Sequence, residues 1–167
     1  KAHPLLEALG TLDELGCVMG VAAASGLAPD LRAGIETEQA RLFGVGAQLA
    51  GAHAPPDAPQ TGPDRAWVED LERRIDALEA SLPALTSFVL PGGSVQAALL
   101  HHARAVCRRA ERAMVAALDA GEPVDRHALA YVNRLGDWLF TAARAANREA
   151  GGTERPWPPT AAASDGR

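Results

Sequence analysis

Apolar residues recur every three or four positions along most of this chain, and the pattern breaks at glycines and prolines, which predicts five helices. The first runs over residues 5–25 and stops at Gly26, with Pro29 beyond it. The second starts near Asp30, a candidate cap, and continues to about Ala52. Residues 54–63 carry Pro55, Pro56, Pro59 and Pro63 around Gly62, so they read as a loop. Asp64 is placed to cap a third helix, in which Trp67, Leu71, Ile75, Leu78 and Leu82 keep helical spacing until Pro83 closes it. Pro91, Gly92 and Gly93 then mark a turn. Ser94 follows as the cap of a fourth helix with Ala98, Leu99, Ala103, Val106, Cys107, Ala110 and Met114 on its packed face, ended by Gly121 and Pro123. The fifth begins near Asp125 and runs to about Ala150, before Gly151 and Gly152.

This pattern predicts an all-α fold, a compact bundle of about five helices over residues 1–152. A length of 167 residues at 47% hydrophobic content suits one domain with a sizeable core, and 4% aromatic residues in an alanine-rich chain suit close helix packing better than a sheet. Residues 153–167 read as a mobile Pro/Ala-rich C-terminal tail because their composition lacks apolar periodicity. Trp157, an aromatic between prolines, is the residue there that has something to dock. Cys17 and Cys107 both fall in helical patterns and read as small buried residues in a reducing setting.

The fourth helix carries the candidate chemistry. Arg104, Arg108, Glu111 and Arg112 lie three or four residues apart and form a stripe beside the packed face, while Arg109 is rotated away from them. Arginines held at the edge of a core suit phosphate or carboxylate recognition. Read alone, the stripe also fits a solvated face in which Glu111 pairs with Arg108. Asp13 and Glu14, in the first half of the first helix, likewise fit acids that oppose the helix dipole.

Three segments tip that balance. FVLPGGS with ARAVCRRAER, within residues 88–113, resembles the signature of the PduO-type ATP:cob(I)alamin adenosyltransferases, close to F-(I/V)-LPGG and ART-x-x-RRAER. EALGTLDELGCVMG, residues 7–20, is similar to that family's E-A-x-GT-(V/L)-DELN-x-x-x-G. YVNRLGDWLFTAARAAN, residues 131–147, is similar to its Y-(L/V)-NRLSD-x-LF-x-x-AR-x-x-N. The three occur in the family's order and frame residues 1–157. Gly16 and Gly136 stand where the family usually has Asn and Ser, which removes a side-chain hydrogen-bonding group at each place.

The resemblance implies a homotrimeric enzyme with sites between subunits, transferring the 5′-deoxyadenosyl group of ATP to cob(I)alamin and releasing triphosphate. It implies Arg112 as a contact to the ATP polyphosphate, with Arg108 and Glu111 beside it, and Arg108 as the intersubunit partner of Asp13. Asn133 would touch the nucleotide and the corrinoid, and Asp137, one turn on, would assist. Phe88 would face the corrin and help displace the lower axial ligand of cobalt, which makes cob(II)alamin easier to reduce. Mg2+ is expected with ATP, and K+ is a further candidate cation. Lys1 resembles the lysine that ends the family's N-terminal TGD-x-G-x-T element, a loop that wraps the triphosphate. That element is expected to belong to the full protein. The alternative is a catalytically weak bundle that binds or delivers a corrinoid.

Other classes fit less well. The net charge of -5, with arginines interspersed among acids, gives no basis for a nucleic-acid partner. No apolar run approaches the roughly 20 residues of a membrane span. Adjacent histidines 101 and 102 point in different directions, and no spacing suggests a protein-held metal. There is no P-loop or dinucleotide fingerprint and no arrangement for covalent catalysis. The remaining expectations are a cytoplasmic setting, with an organellar leader before Lys1 left open, a reductase that supplies electrons, and an adenosylcobalamin-dependent enzyme that receives the product.

Overall fold

The computed structural model describes residues 3–51 and 62–157. They form α1 (Pro4–Ala23), α2 (Pro29–Leu49), α3 (Arg65–Glu79), α4 (Val95–Asp119) and α5 (Arg126–Glu149). Among the described residues there is no strand, only an isolated antiparallel bridge between Val89 and Pro156. No helix is long and apolar enough to cross a membrane.

Two of the three expected caps form, and Asp125, expected at the start of the fifth helix, caps it as well. Asp64 accepts from the Trp67 N–H, Ser94 from Ala97 and Asp125 from His127, each satisfying an amide that the helix start leaves open. Three boundaries move, one of them the end of α2, which stops at Leu49, short of Ala52. Pro29 takes the first position of α2, where its fixed φ suits a helix start, so Asp30 lies inside the first turn and caps nothing. The third helix ends at Glu79, short of Leu82: the Leu82 N–H turns back to the Glu79 carbonyl (2.9 Å) and the Ser81 hydroxyl to Leu78 (2.8 Å). A residue before proline avoids the helical region, so Pro83 ends the helix from a distance.

α4 is packed between α1 and α5, α2 leans on α1, and α3 on α5. The second half of α5 is buried on nearly all sides through Trp138, Leu139, Ala142, Ala143 and Ala146, where small residues let neighbouring backbones approach. Cys107 joins this core, its thiol donating to the Val132 carbonyl (3.2 Å), and burial pushes that thiol up to about 12. Cys17 does not; it is exposed on α1, because the helix turns it toward a groove that no other described element fills.

A polar cluster ties α2, α3 and α5 together. Glu38, fully buried, accepts from the Tyr131 hydroxyl (2.7 Å) and pairs with Arg41 (3.1 Å) and Arg74. Arg41 also holds Asp70 (2.9 Å), whose other oxygen takes Arg73 (3.1 Å). Arg74 lies over the Trp138 ring at 4.5 Å, and Arg41 over Trp67 at 5.4 Å. Burial raises the Asp70 carboxyl, but the hydrogen bond from Arg41 and the charges of Arg41, Arg74 and Arg73 outweigh it and leave it below the usual range.

Part of the segment read as a tail is tied down. After α5 the chain turns back, and residues 152–157 run antiparallel to residues 88–90. The Leu90 N–H donates to the Arg155 carbonyl (2.8 Å) and the Trp157 N–H to the Phe88 carbonyl (2.7 Å). This pairing is carried by backbone groups, so it leaves no periodic trace in the side chains.

Candidate functional site: an arginine-lined cleft

α3, α4, α5 and the turn before α4 enclose an open cleft of about 440 Å³. Five residues singled out from the sequence meet there: Phe88, Arg108, Glu111, Asn133 and Asp137. Arg104, Arg134, Phe140 and Thr141 join them. Helical spacing explains the lining. Arg104, Arg108 and Glu111 descend one stripe of α4, while Asn133, Asp137 and Thr141 descend the facing stripe of α5 at intervals of four.

Several of these side chains are already engaged. Asn133 Nδ2 donates to Glu111 Oε1 (2.8 Å), which leaves the Asn133 carbonyl oxygen free to accept. The Arg134 guanidinium reaches Asp137 (2.8 Å) and Glu72 of α3 (3.1 Å), and Thr141 donates to the Asp137 carbonyl (3.2 Å). The pairing of Glu111 with Arg108 that the stripe read alone would allow is absent among the described residues.

Arg104 and Arg108 are different. Among the described residues neither makes an ion pair, and Arg104 Nε is buried without a hydrogen-bond partner. The Arg104 guanidinium lies 5.6 Å from the Phe140 ring centre. Burial, then the like charge of Arg108, pulls it below its ordinary value. Two guanidiniums side by side with no carboxylate between them form a field that an anion would relieve.

Phe88 stands at the mouth, 81% exposed, on the turn that ends in Gly92 and Gly93. Gly93 has φ +104°, and a Cβ there would overlap the Asn147 side chain, so the turn requires glycine. Asn147 in turn accepts from the Ser94 N–H (2.9 Å) and fixes where α4 begins.

The other sequence candidates lie elsewhere. Arg112 is exposed and does not line the cleft. Asp13 is exposed in a separate apolar groove of about 500 Å³ between α1 and α2, beside Cys17 and Phe43. Within one chain, then, Asp13 and Arg108 are not brought together. Arg109, on the opposite side of α4, pairs with Glu14 of α1. Lys1 lies outside the described residues. Sequence reasoning placed Arg104 in the stripe without singling it out. Its position one turn before Arg108 was the available signal. Phe140 gave none, since an aromatic after a run of apolar residues reads as core.

Fold and cleft together define an α-helical protein with an arginine-lined cleft beside an exposed aromatic. The family described as Cobalamin adenosyltransferase matches residues 1–146. The corrinoid adenosyltransferase of Bacillus subtilis is 43% identical over 150 residues, 87% of this chain and 76% of that one. Two solved structures of variants of the Lactobacillus reuteri PduO-type ATP:corrinoid adenosyltransferase, both 32% identical, superpose closely. One, with cobalamin and ATP bound, gives a TM-score of 0.82 over 94% of this chain and 87% of that one. The other, with ATP bound, gives 0.84 over 95% and 89%. This chain belongs to the cobalamin adenosyltransferase family.

Proposed function

We propose that this protein transfers the 5′-deoxyadenosyl group of ATP to cob(I)alamin, forming adenosylcobalamin and triphosphate. The observation that carries this reading is the cleft, which gathers two arginines without ion-pair partners among the described residues, a free asparagine carbonyl and an exposed aromatic from two of the three matching segments. Cobalt supplies the electron pair. It forms a bond to the 5′ carbon, the bond from that carbon to the phosphate oxygen breaks, and triphosphate leaves with the added negative charge. The arginines meet that charge as donors already in place. Asn133, held by Glu111, orients the nucleotide, and Asp137 with Arg134 fixes the neighbouring wall.

Arg108 is the better candidate than Arg112 for the phosphate contact. The Lactobacillus reuteri variants replace a phenylalanine in one case and an arginine in the other, and those two positions are twenty residues apart, as Phe88 and Arg108 are here. Cleft geometry supports the same choice. Arg104, left with a buried unpartnered Nε, then becomes a natural partner for Asp13 of a neighbouring copy alongside Arg108.

The cleft is small for its task. Ligand pockets run to roughly 300–1,000 Å³, and about 440 Å³ suits a nucleotide without a corrinoid as well. A second copy would complete it, which supports a homotrimer in which the groove holding Asp13 and the 74%-exposed Phe43 meets the arginine face of the next subunit. Mg2+ travels with the triphosphate, and K+ and Lys1 belong to the same phosphate end. The helical-bundle domain is residues 1–152. A reductase delivers one electron to cob(II)alamin, an adenosylcobalamin-dependent enzyme takes the product, and the setting is the cytoplasm.

The test is direct. Full-length protein given ATP, Mg2+ and chemically reduced cobalamin under anaerobic conditions gives the adenosylcobalamin spectrum and one triphosphate per corrinoid. An unchanged spectrum overturns the enzyme in favour of a corrinoid carrier.

A further inference from the structure

Phe88 is exposed, and it sits in a stretch between α3 and α4 that has no regular structure. Such a residue keeps a position only if something outside its own loop imposes it. Here that support comes from behind, from the segment after α5. Its backbone bonds to Phe88 and Leu90, and the Trp157 ring meets the Phe88 ring edge to face at 6.5 Å.

The returning segment is itself anchored at one point. Arg144 of α5, 5% exposed, donates through Nε and a terminal nitrogen to the two oxygens of Glu154 (2.6 and 3.2 Å), and to the Pro83 carbonyl (2.7 Å). Arg148 bonds the Ser81 carbonyl one turn on. α5 thus grips both strands of the same structure, the loop at Pro83 and the returning segment at Glu154. Neither Arg144 nor Glu154 lines the cleft. A fork of this kind fixes direction as well as distance, which a point charge would not.

We propose that the Arg144–Glu154 pair and Trp157 are positioning residues for Phe88, a latch that holds its ring at the corrin face and so sets how readily bound cob(II)alamin loses its lower ligand. This rests on the reading of Phe88 given above. The latch acts on the electron-accepting state and not on the later attack at the 5′ carbon, because the Phe88 ring offers no charge or donor to the leaving phosphates, which Arg104 and Arg108 of the same cleft do.

The experiment compares full-length Glu154→Gln, Trp157→Ala and Phe88→Ala proteins in two adenosylation assays. One starts from cob(II)alamin with reduced flavin as the one-electron donor, the other from cob(I)alamin already formed. EPR of bound cob(II)alamin reads the fraction that has lost the lower-ligand nitrogen splitting. Glu154→Gln and Trp157→Ala should each lower that fraction and slow the cob(II) assay roughly tenfold, the scale of one charge-assisted contact, with the cob(I) rate and the KM for ATP nearly unchanged. In the Phe88→Ala background, Glu154→Gln should add nothing, since both act through one ring. Equal loss in both assays, or additive loss in the double variant, overturns the latch. If Phe88→Ala itself shows no difference between the assays, the reading of Phe88 fails. The latch is then judged by hydrogen exchange of the Leu90 amide, which Glu154→Gln should speed; unchanged protection overturns it independently.

Discussion

The two arginine clusters flanking α5 are built from the same residue type and end in opposite states. Around Glu38, Arg41 and Arg74 meet carboxylates and aromatic faces on every side, and a tyrosine hydroxyl completes the set. In the cleft, Arg104 and Arg108 sit beside each other and, among the described residues, neither forms an ion pair. A closed network contributes to holding helices together; an open one holds free energy that only a ligand or a neighbouring chain releases. Removing a member should therefore damage stability in the first region and activity in the second.

The largest effect is expected at Glu38. Glu38→Ala takes the buried carboxylate from Arg74 and Arg41, leaving them only Asp70, and removes the carboxylate acceptor of the Tyr131 hydroxyl; it should cost about 3–5 kcal/mol of stability, read by chemical denaturation, with turnover per folded molecule little changed. Arg108→Ala is the converse. It should lower turnover by roughly 10²–10³-fold, the scale of a lost transition-state donor, with no loss of melting temperature, because a like-charge contact with Arg104 disappears. Arg108→Lys should recover only part, since an ammonium lacks the planar fork. Comparable damage to stability at both positions would erase the distinction.

Acid titration separates the clusters next. Asp70 has a folded pKa below its unfolded value near 3.8, so its contribution is complete above that pH and is lost as pH falls through the lower folded value. Melting followed from pH 6 down to pH 2 should show a decline that Asp70→Asn flattens and that Arg108→Ala leaves in place. The smallest effect belongs to Arg109→Ala. Its pair with Glu14 is about half exposed and should be worth less than about 1 kcal/mol, with turnover near normal. A larger loss of activity there than at Arg108 would reverse the assignment of helix faces.

This contrast also explains what could be read in advance. Asp64, Ser94 and Asp125 announced their helices because a cap is a local event, decided within three residues. The cleft was legible because its partners lie at helical spacing inside quoted motifs. Glu38 was not: two of its partners come from α3 and α5, and a glutamate in a polar stretch of α2 looks like its exposed neighbour Glu36. The turned-back segment was missed because main-chain pairing favours no side chain, and Arg144 was hidden among alanines. Pro83 misled by one turn, since its steric effect reaches backwards.

Asn147 has a further consequence. Its amide fills the space that a side chain at Gly93 or at Gly152 would need, and it bonds the first residue before α4. Positions far apart in the chain therefore form one mutational unit. A larger residue at either glycine is tolerated only if Asn147 shrinks, and a smaller residue at 147 frees the turn carrying Phe88. Drift at these three sites should be correlated among descendants of this chain, and a library that randomises them together should return viable combinations that no single-site scan would find.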